Sequence, residues 1–300
     1  MAKLQTTTIP LNQLLLRLND LRLLTRAELS GMVAFAALTG NLFGAQRWSL
    51  ESFQVCFAVL LLAAGCSALN QWQERDLDAR MQRTRNRPLP AGTLPPSAAL
   101  FLTAVLLVCG LLLLAFLPSQ LPLLLGLLAI IWYNAIYTPL KRVTAFAALP
   151  GAICGALPPL IGWTAAGESL LDVKIISLFI TLFLWQVPHS WLLLCHYRKD
   201  LQLSGLPNLF TTFSTQRLMR INSYWLLALL FCYLQFPLFG YLGSASFRAV
   251  FLAGLAAIGL AIFSESRQKQ PKAKKLFHLT NLSMTLLLLL LLLDNSFAGF

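Results

Sequence analysis

Long apolar runs alternate with short polar connections along this chain, at a spacing set by the thickness of a bilayer. A helix needs about 20 mostly apolar residues to cross the hydrocarbon. Nine stretches approach that length: 28–46, 52–70, 98–117, 121–138, 146–166, 174–194, 221–242, 247–264 and 276–293. The runs are continuous and Leu-rich, most clearly from Leu286 to Leu293. Barrel strands would alternate every second residue, so the pattern predicts helices. The first, second and fifth runs are diluted by Ala and Gly, small residues that let helices approach closely in lipid. Met1 to Arg26 is polar and basic, with Leu11, Leu14, Leu15, Leu18 and Leu21 punctuating it. That segment predicts either an amphipathic stretch on the membrane surface or a loosely ordered tail, and no signal peptide.

Composition agrees with this reading and excludes a soluble one. Apolar residues make up 57% of the 300 and charged residues 11%. Soluble domains reach about 45–50% and about 25% respectively. The formal net charge is +12, which on a soluble protein would point to nucleic acid. Here its position matters more than its size. The N-terminal segment holds Lys3, Arg17, Arg22 and Arg26; the second connection holds Arg75, Arg80, Arg83, Arg85 and Arg87. Lys141 and Arg142 follow the fourth run, and Arg198, Lys199, Arg217 and Arg220 the sixth. Arg267, Lys269, Lys272, Lys274 and Lys275 follow the eighth, which leaves Arg47, Lys174 and Arg248 on the other side. By the positive-inside rule the N-terminus is cytoplasmic and, with nine spans, the C-terminus external. The sequence thus predicts an all-α bundle: a cytoplasmic segment 1–27, one nine-helix transmembrane domain 28–294, and a short external tail 295–300. The six cysteines form no CxxC pair and lie in or beside the spans, where they serve as small apolar fillers.

The spans carry few ionisable groups, chiefly Glu28 at an edge and His189 inside the sixth. Transporters coupled to ions usually place acids or bases near the midplane. Here the acids gather instead at the cytoplasmic end. The strongest signal runs from Asn70 to Pro90, NQWQERDLDARMQRTRNRPLP. Asn70, Glu74 and Asp78 fall at i, i+4 and i+8, one face of a helix continuing from the second span. Asp76 falls on another face unless the helix ends first. A solvated, salt-bridged loop is the ordinary outcome for such a charge run. Against it, carboxylates directly after an apolar span, followed by arginines, are what a Mg²⁺-diphosphate needs: hard oxygens for the metal and guanidinium forks for the phosphates. A second cluster, Tyr133, Asn134, Tyr137, Thr138, Lys141 and Arg142, closes the fourth span. Alone it would be an interfacial anchor; beside a diphosphate site its cations become phosphate ligands. A third lies at the end of the sixth span, where Pro188 predicts a kink and His189, His196 and Asp200 recur along one face. Two histidines on one face fit either an iron contact or hydrogen-bonded structural residues. All three clusters fall on one predicted side. They converge on a pocket open to the cytoplasm, suited to an intramembrane enzyme acting on a lipid-soluble, phosphorylated anion.

Several of these residues also carry a family resemblance. Asn70, Asp76, Asp78, Met81, Arg83, Thr84, Arg87 and Pro88 resemble the N-x-x-x-D-x-D-x-D-x-x-M-x-R-T-x-x-R-P motif of protohaem IX farnesyltransferases (haem O synthases), within the UbiA-type intramembrane prenyltransferases. The similarity continues at Tyr137-Thr138-Pro139-Leu140-Lys141-Arg142 and from Gly155 to Trp163. It returns at Trp185, Pro188-His189, Trp191, Tyr197, Asp200, Gly205 and Pro207. Departures are Glu74 for a usual Asp, Val187 and Ser190 around His189, and Leu201, Ser204 and Asn208 in the last block. The resemblance implies transfer of farnesyl from farnesyl diphosphate to a vinyl group of haem B, with addition of water, giving haem O. It also implies Mg²⁺ held by Glu74, Asp76, Asp78 and Asp200, with Asn70 orienting metal water or phosphate. Arg83, Arg87, Lys141 and Arg142 would clamp the diphosphate. Aromatic residues (Tyr137, Trp185 and Trp191, with Trp132 and Tyr133) would wall a dry cavity, and His189 and His196 would contact haem. The expected setting is a bacterial cytoplasmic membrane, with contact to haem-copper oxidase assembly or haem A synthase as a further expectation, and no nucleic acid. The rival readings are a UbiA-type enzyme acting on an aromatic quinone precursor, and a transporter or membrane assembly factor.

Overall fold

A computed structural model describes residues 11–268 and 271–296. The expectations for Lys3, Lys269 and most of the 295–300 tail fall outside these residues. Among the described residues the chain is helical with no strand. A first helix, α1 (Leu11–Thr25), precedes α2 (Ala27–Ala45), α3 (Leu50–Asp78), α4 (Pro96–Ala115) and α5 (Leu121–Leu140). These are followed by α6 (Ala148–Ala165), α7 (Val173–His196), the short α8 (Arg198–Ser204), α9 (Thr215–Leu238), α10 (Ala245–Ser266) and α11 (Ala273–Ser296). Eight of these are long and apolar enough to cross a membrane. The ninth full-length helix is α2, whose apolarity is diluted by Glu28, Ser30, Thr39, Asn41 and three glycines. Its 19 residues rise about 28 Å at 1.5 Å each, enough to match the other spans.

Local chemistry sets the helix ends. Ser49 caps α3 in a reciprocal box with Ser52, Asp172 accepts from the Lys174 amide at the start of α7, and Ser214 accepts from Arg217 at the start of α9. Gly205, at φ 73°, stops α8. Helix α3 matters most for function. It does not end at the membrane edge near residue 70 but runs to Asp78, carrying two further polar turns beyond the apolar run.

Helices α2, α6, α7 and α11 form an inner quartet, each packed on the next, with α3, α4 and α5 on one flank and α9 and α10 on the other. In lipid the attraction between helices is close packing rather than removal of apolar surface from water. The α2–α6 crossing shows it: a Cβ on Gly162 would sit 1.8 Å from the Ala37 carbonyl oxygen, and one on Gly40 2.2 Å from that of Pro159. Asn41 closes the crossing by donating to the Gly162 carbonyl at 3.1 Å. Ala and Gly in α2, a weakness in hydropathy, are therefore the contact surface. Large apolar side chains on the flanking helices, such as Phe101, Phe116, Phe231 and Leu260, point outward, as a lipid-facing surface requires. With the spans antiparallel in sequence, α1 and the connections 79–95, 141–147 and 197–214 share one end.

Of the N-terminal segment, the described part from Leu11 to Thr25 is a helix with two kinds of face. Leu16, Leu18, Leu21 and Leu23 are exposed, while Leu24 is fully buried against Ala68, Leu89 and Ala99. Gln71 of α3 donates to the Leu23 and Leu24 carbonyls at 2.8 and 2.7 Å, pinning the end of α1 to the bundle. Arg22 pairs with Glu28 across the α1–α2 junction.

Candidate active site

The extension of α3 stacks Asn70, Glu74 and Asp78 in one row, and all three are buried. A buried carboxylate is costly unless it is paired or hydrogen-bonded, and each of these is. Lys141 Nζ lies 2.6 Å from Glu74 Oε1, and Arg87 donates to Asp78 Oδ2 at 2.6 Å. Asn70 Nδ2 donates to Glu74 Oε2 and to Thr138 Oγ1, each at 3.0 Å. Its Oδ1 accepts from Arg26 at 3.3 Å. Three cations and two carboxylates therefore meet in one enclosed cluster, with positive charge in excess.

The partners arrive from three places in the chain, each for a local reason. Arg87 is brought back by the compact 79–95 connection, which folds on itself through Thr84 Oγ1 donating to the Asp78 carbonyl at 2.9 Å. Lys141 and Thr138 come from α5, whose segment Ile131–Tyr137 is a π-helix. The wider turn directs Thr138 Oγ1 onto the Tyr133 carbonyl at 2.9 Å and turns the helix end toward Asn70. Such bulges are frequent at functional sites. Asn134 secures this end against α3 by donating to the Cys66 carbonyl at 3.1 Å. Tyr137 forms a wall: Lys141 Nζ sits 5.0 Å from its ring centroid, and Gly151 of α6 leaves the space its ring fills. Arg26 comes from the α1–α2 junction, in left-handed backbone at φ 47°. Burial lowers the Lys141 ammonium below the ordinary lysine range, with the Glu74 carboxylate opposing that effect. Burial likewise lowers Arg87, the Arg26 charge adds to it, and Asp78 opposes it.

Arg83, Asp200 and Arg142 surround the cluster. Asp200, on α8, accepts from the Arg83 backbone amide at 3.1 Å, joining the 79–95 and 197–214 connections across 117 positions of sequence. The Arg83 guanidinium lies 4.9 Å from the Tyr197 ring centroid. Arg142 is exposed and donates to the Gln73 carbonyl at 2.7 Å. Asp76 is not in the cluster. The helix turns about 100° per residue, so Asp76 lies about 200° from both Glu74 and Asp78. Its side chain is 77% exposed and stands 3.9 Å from Arg75. His196 is also exposed, against Tyr197, at the end of α7. Trp191 is buried in a separate packing cluster with Trp225. His189 is half-buried between α7 and α11, with the Trp185 ring tilted against it at 43°.

The sequence reading missed Arg26 as a site residue. It counted only as one of the N-terminal charges, and no motif marks it. Only its place at the helix junction, directly before a span with few ionisable groups, distinguishes it. Its Nε is buried with no hydrogen-bond partner, a donor held ready for an anion.

The donor set suits a hard divalent cation. Glu74 and Asp78 supply carboxylate oxygens one helix turn apart, next to an asparagine amide. No group of three His, Cys, Asp or Glu converges for a metal among the described residues. Mg²⁺ typically takes one or two carboxylates and completes its shell with water and substrate phosphate. The unpartnered Arg26 Nε and the surplus of cations fit the phosphate half of such an assembly.

The UbiA prenyltransferase family model matches residues 32–287. The chain is 38% identical over 276 residues to the protoheme IX farnesyltransferase of Oleidesulfovibrio alaskensis, covering 91% of this chain and 95% of that protein. It is 46% identical over 188 residues to that of Geobacter sulfurreducens, covering 63% and 69%. Among solved structures, it is similar to digeranylgeranylglyceryl phosphate synthase, with TM-score 0.71 at 16% identity over 93% of this chain and 98% of the other. It is also similar to a UbiA homolog from Archaeoglobus fulgidus bound to GPP and Mg²⁺, with TM-score 0.63 at 15% identity over 91% and 99%. These two show a shared fold.

Proposed function

The chain belongs to the UbiA prenyltransferase family, and from that premise we propose how its own residues transfer farnesyl from farnesyl diphosphate to a vinyl group of haem B, with addition of water, giving haem O and diphosphate. The observation that carries the reading is the buried row of Asn70, Glu74 and Asp78 facing Arg26, Arg87 and Lys141 at one end of a multi-pass membrane bundle. A net-positive, largely dehydrated cluster of this kind has a use for a polyanion carried on an apolar chain: the diphosphate meets the cations while the farnesyl chain stays among the helices.

Departure of diphosphate from an allylic carbon develops negative charge on the bridging oxygen. Arg26, Arg87 and Lys141 are fixed by packing and ion pairs before substrate arrives, so they stabilise that charge with little reorganisation. Glu74 and Asp78 would hold Mg²⁺, which when bound would supply Lewis-acid neutralisation of the leaving group. Binding of the anion exchanges the Glu74–Lys141 and Asp78–Arg87 pairs for contacts between those cations and phosphate oxygens. Asn70 orients this exchange, because its amide touches Glu74, Thr138 and Arg26 together. Arg83, Arg142 and Asp200 line the cytoplasmic mouth, where Asp200 holds the Arg83 backbone amide. The allylic cation survives only where water is scarce and π faces are near. Tyr133 and Tyr137, 5.7 Å apart between ring centroids, and Trp185 provide such faces. Asp76, on the exposed face of α3, has no direct part.

Haem B enters as the second substrate, with His189 as its contact inside the bundle and His196 at the mouth. The activity resides in the single nine-helix domain 28–294, in a bacterial cytoplasmic membrane with the N-terminus inside and the C-terminus outside. Haem O would pass to haem A synthase or to haem-copper oxidase assembly. The deciding experiment incubates membranes containing the protein with haem B, farnesyl diphosphate and Mg²⁺. A product heavier and more hydrophobic than haem B, lost on chelation and restored by Mg²⁺, is expected. Prenylation of an aromatic acid with haem B unchanged would overturn the haem assignment, and no prenyl product at all would favour a non-enzymatic protein.

A further inference from the structure

His189 is held in a way that its neighbours in sequence do not foretell. Its Nδ1 is 2.7 Å from Asn281 Oδ1 on α11. An amide oxygen only accepts, so Nδ1 carries the proton and Nε2 keeps its lone pair. Nε2 has no hydrogen-bond partner among the described residues and is not among the sealed, unpartnered polar atoms. The ring is clamped on both sides, 4.6 Å from Trp185 and 4.8 Å from Phe277 between centroids. Trp185 is itself fixed, donating from Nε1 to the Thr280 carbonyl at 3.1 Å. Two bonds one turn apart on α7, to Thr280 and Asn281, thus join α7 to α11 and set the plane of the imidazole.

A structural histidine in lipid would be expected to use both nitrogens, since an unsatisfied polar group there is costly. This one spends Nδ1 on an amide and leaves Nε2 open. A metal-bound histidine shows the same arrangement: one nitrogen donates to an oxygen acceptor, which fixes tautomer and orientation and raises the basicity of the other. We propose that Asn281 is a positioning residue that presents His189 Nε2 as a ligand to the iron of the haem substrate, holding the macrocycle while its vinyl group reacts. The proposal rests on the reading of haem B as substrate and deepens it: His189 meets the iron rather than a propionate, and Asn281 acts through His189.

The test uses the full-length protein in lipid nanodiscs, loaded with ferrous haem B without prenyl donor and read by resonance Raman. The wild type should show an iron–histidine stretching band. His189→Ala should abolish it. Asn281→Leu should lower its frequency, because the Nδ1–H bond is gone, and weaken haem affinity by about 10- to 100-fold. Asn281→Asp keeps an acceptor and strengthens it, so the band should return and move upward. A role confined to helix packing would leave the frequency unmoved in every variant that still binds haem. A band present in wild type, lost in His189→Ala, but identical in Asn281→Leu and Asn281→Asp would overturn the role of Asn281 and leave His189 as ligand. A band that persists in His189→Ala would overturn the ligation. Absence of any haem binding by the wild type would instead overturn the underlying substrate reading.

Discussion

Replacing Asp78 with Asn, alone and together with Arg87→Met, separates catalysis from mere ion pairing. Asp78 is 1% exposed and its partner nitrogen on Arg87 lies 2.6 Å away. At an effective dielectric of about 20, the gross attraction at that distance is about 6 kcal/mol. Desolvation offsets much of it, but deleting one partner strands the other charge, which typically costs about 3–5 kcal/mol. The Arg87 side chain retains 15% exposure and can reach some water, so Asp78→Asn should destabilise the protein by about 3 kcal/mol. Removing the arginine as well takes away the stranded charge, and the double variant should recover most of that stability. Activity should not follow. A metal-supported leaving group is worth several kcal/mol in the transition state, so losing one of two carboxylates should cost about 4 kcal/mol, or about 10³-fold in rate. The assay pairs farnesyl transfer to haem B in reconstituted membranes with thermal unfolding followed by tryptophan fluorescence. Recovery of both stability and rate in the double variant would refute the reasoning, because it would make Asp78 and Arg87 a structural pair only.

Asp76→Asn, at an exposed position 3.9 Å from Arg75, should change stability by less than about 1 kcal/mol and reduce the rate far less than Asp78→Asn; equal losses at the two positions would show that both face the metal. Arg26→Met should raise KM for farnesyl diphosphate by roughly 10- to 100-fold, the value of a hydrogen bond to a charged group, as read from initial rates over a range of substrate concentrations. Gly162→Ala places a methyl group 1.8 Å from the Ala37 carbonyl, and forcing α2 away from α6 should cost at least about 1–3 kcal/mol; an unfolding temperature equal to wild type would contradict the close crossing.

The distribution of apolar residues determined most of the architecture. Runs of about 20 residues dictate helices because the hydrocarbon offers the backbone no other partner, and the side bearing 20 of the 23 lysines and arginines dictates the end where the acids gather. The i, i+4, i+8 spacing of Asn70, Glu74 and Asp78 was enough to place them on one face. The same periodicity puts Asp76 on the opposite face once the helix is known to continue, which the motif resemblance alone does not convey. Tertiary structure decided what those faces meet. Arg26 approaches Asn70 across 44 positions, Lys141 reaches Glu74 only because a π-turn redirects the end of α5, and His189 finds its partner 92 positions away on α11. None of these pairings has a period or a motif, because each depends on how closely two helices cross. That closeness is fixed by small residues such as Gly40 and Gly162, whose effect appears only when another backbone lies against them.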